Sequence, residues 1–539
     1  MGSVMFQALA DPLASGRGAK KDTILAMKNH PGGSRVAATV ERALDAADEW
    51  ARRENGARVF RACFWLAAAY VFFCVILDWD KNWMHQDFYS SFLPAAMKTG
   101  PGLCLQDLGR MFDFGDFDGN PRVRFLSSLT VIAAAKLRIW LAHVAPPHPS
   151  ISPTWIFSLV FSPMLLFSLM KRLRQPASVA WTAATLYLVS TGLLSGVTFL
   201  FHPAKPLSLF ATLLCLYLAA RVRRPAPDGS DGGTIDRPAF AMLMAAAFLS
   251  FFVDEVDWFI VACVPIFFPS TFIRRPRLGL LFSGAFAAFL LCVTFIVPAI
   301  TARLGIGDFL FWKYSVSSNG GLSLSGLLHS VWTNGVNLNL SHLRLVEGGW
   351  LATAAGGAAL LLILGFSAIL PAAEKSLALR GLAALAAYVV FETFIMSRHL
   401  HVIASDFYYG SLFSLLAVIP LSVVLAGVRR ALYLRLALFL YLAAVSIGNF
   451  ERDNRRWMHD HRYALKGLCT SPLREQLQLE GPLPFSLVRE FWENRGDPAF
   501  APANAARLPA KACWMLLELS GDPATLPQIK PPRFDPGSR

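Results

Sequence analysis

Four short segments of a strongly apolar chain contain acidic, basic or histidine residues whose spacing could support chemistry. The first segment, residues 85–89 with the sequence HQDFY, follows an apolar run by a few residues. An aspartate held at the edge of a bilayer can take the proton of a hydroxyl group presented at the interface, so Asp87 is a candidate general base. A solvated loop aspartate is the competing interpretation of the same spacing.

The second segment, residues 113–124, has the sequence DFGDFDGNPRVR. Its carboxylates could bind a divalent cation such as Mg or Mn, with Asp116 and Asp118 as ligands, and Arg122 could pair with a phosphate. The spacing partly resembles a calcium loop, but the glutamate that completes such a loop is missing. A folded loop held together by internal salt bridges explains the pattern equally well.

The third segment is Asp254-Glu255-Val256-Asp257, between two short apolar runs that predict a tight helical hairpin. Carboxylates so close to lipid are costly unless they line a polar recess, which favours a functional role over simple solvation of the hairpin end.

The fourth segment begins with Arg398, His399 and His401 and continues to Tyr408, after a span that contains Glu392. Arginine and histidine at a membrane interface suit a phosphate or pyrophosphate leaving group, because they stabilise the charge that develops as it departs. An ordinary interfacial belt would also explain the tyrosines and His401.

The elements that must position these segments are membrane helices. Of the 539 residues, 55% are hydrophobic and 16% are charged, and apolar runs recur from Val59 to Ile447. Helices satisfy the backbone in lipid, and the alternation of barrel strands is absent. The net charge of +14 lies in clusters between the runs, which indicates the positive-inside pattern rather than a nucleic-acid partner.

The basic clusters predict the topology. Residues 1–33 are expected to be a disordered cytoplasmic N-terminus and residues 34–57 an amphipathic helix on the membrane surface, or else a helix that binds a cytosolic partner. No cleavable signal peptide is visible, so the span from Val59 to Trp79 would act as an uncleaved signal. Arginines before it predict a cytoplasmic N-terminus and an exterior loop at 80–154. Within that loop, Lys136 and Arg138 argue for a surface helix at 125–144 rather than a crossing.

The predicted fold is an all-α polytopic membrane protein with about eleven transmembrane helices in a domain at 59–448. The later spans are predicted near 155–170, 177–200, 206–220, 239–253, 258–273, 278–300, 349–371, 381–397, 410–428 and 432–448. A second exterior loop falls at 301–349, and residues 449–539 form an exterior, periplasmic or extracellular, C-terminal cap. If the cap is exported, Cys469 and Cys513 could form a disulfide or remain free thiols.

This arrangement, with the HQDFY segment opening a long first exterior loop, resembles the GT-C superfamily of glycosyltransferases that use polyprenyl-phosphate sugars. The resemblance implies an inverting transfer at the exterior face of a bacterial inner membrane, from a lipid-linked sugar donor to a glycan, lipid or protein acceptor of the cell envelope. Asp87 would be the base, with Asp116 or Asp118 as alternatives. Asp254 and Glu255 would bind acceptor hydroxyls or a metal, and the phosphate would meet cations at Arg398, His399 and Lys313.

Two other functions fit parts of the pattern. An O-antigen polymerase or ligase would use the loop at 301–349, which contains Lys313, His329, His342 and Arg344. A lipid flippase or transporter is the alternative from a different class, but transporters typically show internal repeats, and none is convincing here. The concentration of acids at one predicted face favours an interfacial enzyme.

Overall fold

The computed structural model describes most of the helical core of the chain. Residues 54–73, 154–198, 204–223, 234–303, 372–396 and 411–427 are described continuously, and individual residues are described within 39–46, 125–137, 365–370 and 436–448. Regular structure in these residues is almost entirely helical, as the sequence predicts. Their one extended pairing is an isolated antiparallel bridge between Arg223 and Ile235.

The helices follow the apolar runs in order. They are α1 (Glu54–Tyr70), α2 (Ser162–Arg172), α3 (Ala177–Leu188), α4 (Thr191–Thr198), α5 (Ala204–Val222), α6 (Arg237–Ser250), α7 (Ile260–Phe267), α8 (Pro269–Phe272), α9 (Pro276–Leu291), α10 (Val297–Arg303), α11 (Ala372–Met396) and α12 (Ser411–Gly427). A 3-10 helix, Glu255–Phe259, precedes α7, and π-helical turns at Ile156–Phe161 and Cys292–Ile296 adjoin α2 and α9.

Capping residues and prolines set several helix boundaries. Helix α6 begins where the Asp236 carboxylate accepts a hydrogen bond from the Ala239 backbone N–H at 3.2 Å. Pro269 has no backbone N–H to continue α7, so the predicted span at 258–273 divides into α7 and α8.

The predicted span at 177–200 is also divided, because the chain leaves the helix at Val189 and Ser190. The Ser190 hydroxyl donates to the Tyr187 carbonyl at 2.8 Å and accepts from the Leu193 backbone N–H at 3.4 Å. The Ser190 side chain therefore hydrogen-bonds both the last turn of α3 and the first turn of α4. This explains why two helices form where hydropathy alone predicts one.

Helix α5 is the centre of the bundle and contacts α2, α6, α7 and α12. Of its membrane-length segment Lys205–Val222, 67% is buried, against 22% for Gly56–Phe73 and 28% for Pro276–Ile300. The outer helices instead expose large apolar side chains, among them Leu66, Leu280 and Phe295. Such surfaces require contact with lipid or another protein.

Three helices of the described residues are long and apolar enough to cross a membrane: Gly56–Phe73, Lys205–Val222 and Pro276–Ile300. They match the spans predicted at 59–79, 206–220 and 278–300. Shorter apolar helices occur at Ala177–Leu188, Arg237–Ser250 and Ser411–Leu425. A helical protein with membrane-length helices is therefore confirmed, whereas the number of eleven spans and their direction stay predictions.

Other predicted regions lie mostly outside the described residues. These are the N-terminus at 1–33, most of the surface helix at 34–57, the first loop before residue 125, most of the loop at 301–349 and the cap at 449–539. The described residues between 125 and 137 are helical, and they bury Phe125, Ile132 and the Lys136 side chain. Whether this segment lies on a membrane surface stays a prediction.

Candidate functional site

The Asp254–Asp257 acids form the tip of the predicted hairpin. Helix α6 ends at Ser250, and Asp254 adopts an extended backbone (φ −154°, ψ 155°) before the 3-10 helix begins. The Asp254 carbonyl accepts a hydrogen bond from the Asp257 backbone N–H at 3.1 Å, which closes the turn. The tip therefore brings the carboxyl groups into one short stretch between α6 and α7.

Protein encloses these acids almost completely. Asp254 and Asp257 are 0% exposed and Glu255 is 5% exposed. Solvation at an open hairpin end therefore does not account for them. Burial of carboxyl groups is costly unless hydrogen bonds or opposite charges compensate.

Lys205, at the start of α5, supplies an opposite charge. Its Nζ lies 2.7 Å from Asp254 Oδ2, and the two side chains are 2% and 0% exposed. A buried ion pair of this kind gains little net stability, because both groups lose their hydration. Removing only one partner would leave an unpaired charge in the protein interior, which is far more destabilising. The pair therefore favours this packing of α5 against the hairpin.

Two hydroxyl groups on α5 meet the second aspartate. Ser208 Oγ donates to Asp257 Oδ2 at 2.7 Å, and Thr212 Oγ1 donates to Asp257 Oδ1 at 3.5 Å. Lys205, Ser208 and Thr212 are spaced i, i+3 and i+7, so they share one face of α5. They extend about 10 Å along the helix axis, inside the candidate membrane span. Asp257 consequently lies beside the first turns of that span rather than beyond its end.

Helix α11 closes another side of the site with a tyrosine and a glutamate. Tyr388 OH donates to Glu392 Oε1 at 3.4 Å, and both residues are buried. The Phe259 ring packs edge-on against the Tyr388 ring with centroids 5.3 Å apart. Phe259 belongs to the same 3-10 helix as Asp257. The C-terminal half of α11 therefore belongs to the same acidic site.

The start of the helix predicted within the first loop, at 125–144, is hydrogen-bonded to the turn just before Asp254. The Leu126 backbone N–H donates to the Phe252 carbonyl at 3.1 Å, and Ser127 Oγ donates to the Val253 carbonyl at 2.8 Å. The Phe125 and Phe252 rings stack with centroids 5.5 Å apart. The acidic hairpin thus contacts both a segment that precedes α2 and the late helix α11.

The chemistry available to this site is that of buried carboxyl, hydroxyl and ammonium groups. Carboxylates accept hydrogen bonds from hydroxyl groups more strongly than neutral oxygens do, and in a low-dielectric interior such bonds strengthen further. In the described residues, no group of three or more histidine, cysteine or acidic side chains is arranged to hold a metal ion. The divalent cation expected at Asp116 and Asp118 stays a prediction, because both lie outside the described residues.

The structure brings together only part of the site predicted from sequence. Asp254 and Glu255 lie at the hairpin tip as expected. The remaining candidates fall outside the described residues; these are Asp87, Asp116, Asp118, Arg122, Lys313, Arg398, His399, His401 and Tyr408.

Sequence reasoning assigned no role to Lys205, Ser208, Thr212 or Tyr388, and noted Glu392 only as an acid within a span. A signal for the α5 residues was present, because a lysine, a serine and a threonine occupy one helical face of an otherwise apolar run.

Comparison with models of protein families gives no match, and comparisons with curated proteins and with solved structures give none either. Only the residues and their geometry therefore indicate a function.

Proposed function

We propose that the protein is a membrane glycosyltransferase that moves a sugar from a polyprenyl-phosphate donor to a glycan, lipid or protein acceptor. The observation that carries this proposal is the position of the acidic hairpin. It contacts the helix predicted within the first loop through Leu126 and Ser127, and the late helix α11 through Tyr388. An interfacial transferase needs such a meeting point, because its base and its phosphate-binding cations come from distant parts of the chain.

The predicted topology supports the same proposal. With the N-terminus in the cytoplasm, the start of α5, the hairpin tip and the end of α11 would all face the exterior. Lys205, Asp254 and Glu392 come from these three places. Lys205 and Asp254 form an ion pair, and the hairpin contacts the helix of Glu392 through the Phe259 and Tyr388 rings. An exterior active site on a bacterial-type inner membrane is consistent with that grouping.

The reaction needs a base, an acceptor site and a cation site. The acceptor hydroxyl oxygen attacks the anomeric carbon, the bond from that carbon to the donor phosphate breaks, and the hydroxyl proton passes to a carboxylate. Asp87 is the proposed base, with Asp116 or Asp118 as the alternative. Asp254 and Glu255 are proposed to hold acceptor hydroxyls, and the phosphate would leave toward Arg398, His399 and Lys313.

Sugar transfer from a polyprenyl-phosphate donor tests the proposal directly. We expect Asp87→Asn or Asp116→Asn to lower turnover by at least about 100-fold, as loss of a general base does. Asp254→Asn should also lower turnover, whereas Asp236→Asn, at the other end of the same helix α6, should leave it near that of the parent. Normal transfer by all three site variants in folded protein would refute the proposed chemistry.

The orientation is tested separately by labelling introduced cysteines with an impermeant thiol reagent. In sealed cells, Ser317→Cys in the loop at 301–349 should react, whereas Ser230→Cys, in a predicted cytoplasmic loop, should react only after lysis. The parent chain, with its eight native cysteines, provides the background. The opposite labelling pattern would place the acidic site on the cytoplasmic side and contradict an exterior enzyme.

A lipid flippase or transporter is the second candidate, and the buried Lys205–Asp254 pair favours it. Charged groups buried at membrane depth are typical of transport pathways. Movement of a labelled polyprenyl-phosphate lipid across sealed vesicles, without transfer of its sugar, would support this function over the enzyme.

A further inference from the structure

A groove at the opposite end of the bundle from the acidic site lies between α7 and α11. It has a volume of about 460 Å³, and its lining includes Lys375, Ser376 and Arg380 together with the apolar side chains of Ile266, Leu379 and Ala383. This volume is within the range of ordinary ligand sites. Among the residues that the structure describes, two cations and no acid line it, so it is suited to an anionic ligand.

The Arg380 side chain is hydrogen-bonded to the C-terminal end of helix α7. Its Nη1 donates to the Phe267 carbonyl at 3.1 Å, and Phe267 is the last residue of α7. Carbonyls at a helix C-terminus lack intrahelical donors, and an arginine satisfies both the carbonyl and the helix dipole. The guanidinium carries five N–H donors, and this bond uses only one. Within the described residues, Arg380 forms no ion pair with a carboxylate.

An exposed apolar stripe leads away from the groove along α11. Leu379, Ala383, Ala386 and Val390 are all exposed and follow the spacing i, i+4, i+7 and i+11, so they line one face of the helix. Leu379 and Val390 are 46% and 64% exposed. The stripe begins in the groove and continues toward the middle of the helix.

From these features we infer that the groove binds an anionic phospholipid. The phosphate lies between Lys375 and Arg380 and accepts a hydrogen bond from Ser376, and an acyl chain follows the stripe of α11. Basic pockets between membrane helices are known to hold anionic lipid head groups. The apolar stripe distinguishes a lipid from a soluble phosphate, which would leave Leu379 and Val390 uncovered. The site is independent of sugar transfer, because it lies at the other end of α11 from Glu392.

The test is lipid binding to the purified full chain in detergent, followed by native mass spectrometry. Phosphatidylglycerol should bind the parent at least about tenfold more tightly than phosphatidylcholine with the same acyl chains does. It should also bind the parent at least about tenfold more tightly than it binds the Lys375→Gln/Arg380→Gln variant. The matched control is Arg274→Gln/Arg277→Gln, which removes two exposed cations that do not line the groove. It should bind phosphatidylglycerol like the parent.

A second variant tests the acyl chain and leaves the cations in place. Ala383→Phe keeps the bond between Arg380 and Phe267 but fills the apolar part of the groove, so it should weaken phosphatidylglycerol binding several-fold. Equal binding by the parent and the Lys375→Gln/Arg380→Gln variant would overturn the inference, and so would an equal loss in the arginine control. Displacement of the lipid by millimolar inorganic phosphate would also overturn it, because a soluble anion would then suffice.

Discussion

The Lys205–Asp254 pair makes a quantitative prediction. Both side chains are essentially inaccessible, and their charged atoms are 2.7 Å apart. Removing one member of a buried ion pair typically costs about 3–5 kcal/mol, because the other charge is left uncompensated. We therefore expect Lys205→Met and Asp254→Asn each to destabilise the fold by about this amount.

The double variant is the reference for that cost. In the double variant neither charge is present, so its loss of stability should be about 2 kcal/mol or less, the cost of a buried amide.

Reversible unfolding in mixed micelles, followed by tryptophan fluorescence, measures these differences. The two substitutions should be far from additive, whereas independent sites add within about 0.5 kcal/mol. Additive losses would show that the pair is not a buried unit.

Other substitutions test the packing around the site. Gly381→Ala should destabilise the fold by about 1–3 kcal/mol, because the new Cβ would lie 2.9 Å from Cδ of Pro420. Gly284→Ala should stabilise the fold by about 0.5–1 kcal/mol, because no atom lies within 4 Å of its new Cβ and alanine favours the helix over glycine. The same unfolding assay would contradict this packing if the two changes were equivalent. Ser208→Ala should cost about 1–3 kcal/mol, because it removes the 2.7 Å donor of a buried carboxyl group. Ser422→Ala is its control, since that hydroxyl donates only to a carbonyl three residues earlier in its own helix. A larger loss of stability in Ser422→Ala than in Ser208→Ala would argue against the importance of the acidic site.

The hairpin could be predicted from sequence because its signals are local. The apolar runs on either side of Asp254 are short, and the acids between them require a turn. Asp236 likewise marks the start of α6 as an N-cap residue. Features set by neighbouring residues, such as helix existence and several helix ends, were therefore accessible from the chain alone.

The partners of the acids could not be predicted in the same way. Ser208 and Asp257 are 49 residues apart, and their contact depends on how α5 packs against the hairpin. Charge clustering also misses Lys205, because a single lysine at the end of an apolar run is an ordinary interfacial residue. Tyr388 and Glu392 are one turn apart within α11, but nothing local indicates that Tyr388 packs against Phe259 of the hairpin.

If α6 crosses the membrane, as predicted for residues 239–253, its shortness has a consequence for the surrounding bilayer. Its 14 residues extend about 21 Å, whereas the hydrocarbon layer is about 30 Å thick. Met242 and Leu249 on its outer face are 46% and 53% exposed, so lipid chains would meet this helix directly. Such hydrophobic mismatch is relieved when the adjacent leaflet thins. A dimple in the lipid beside Asp254 would bring head groups several ångströms closer to the buried acids, and longer acyl chains would make that dimple more costly to form.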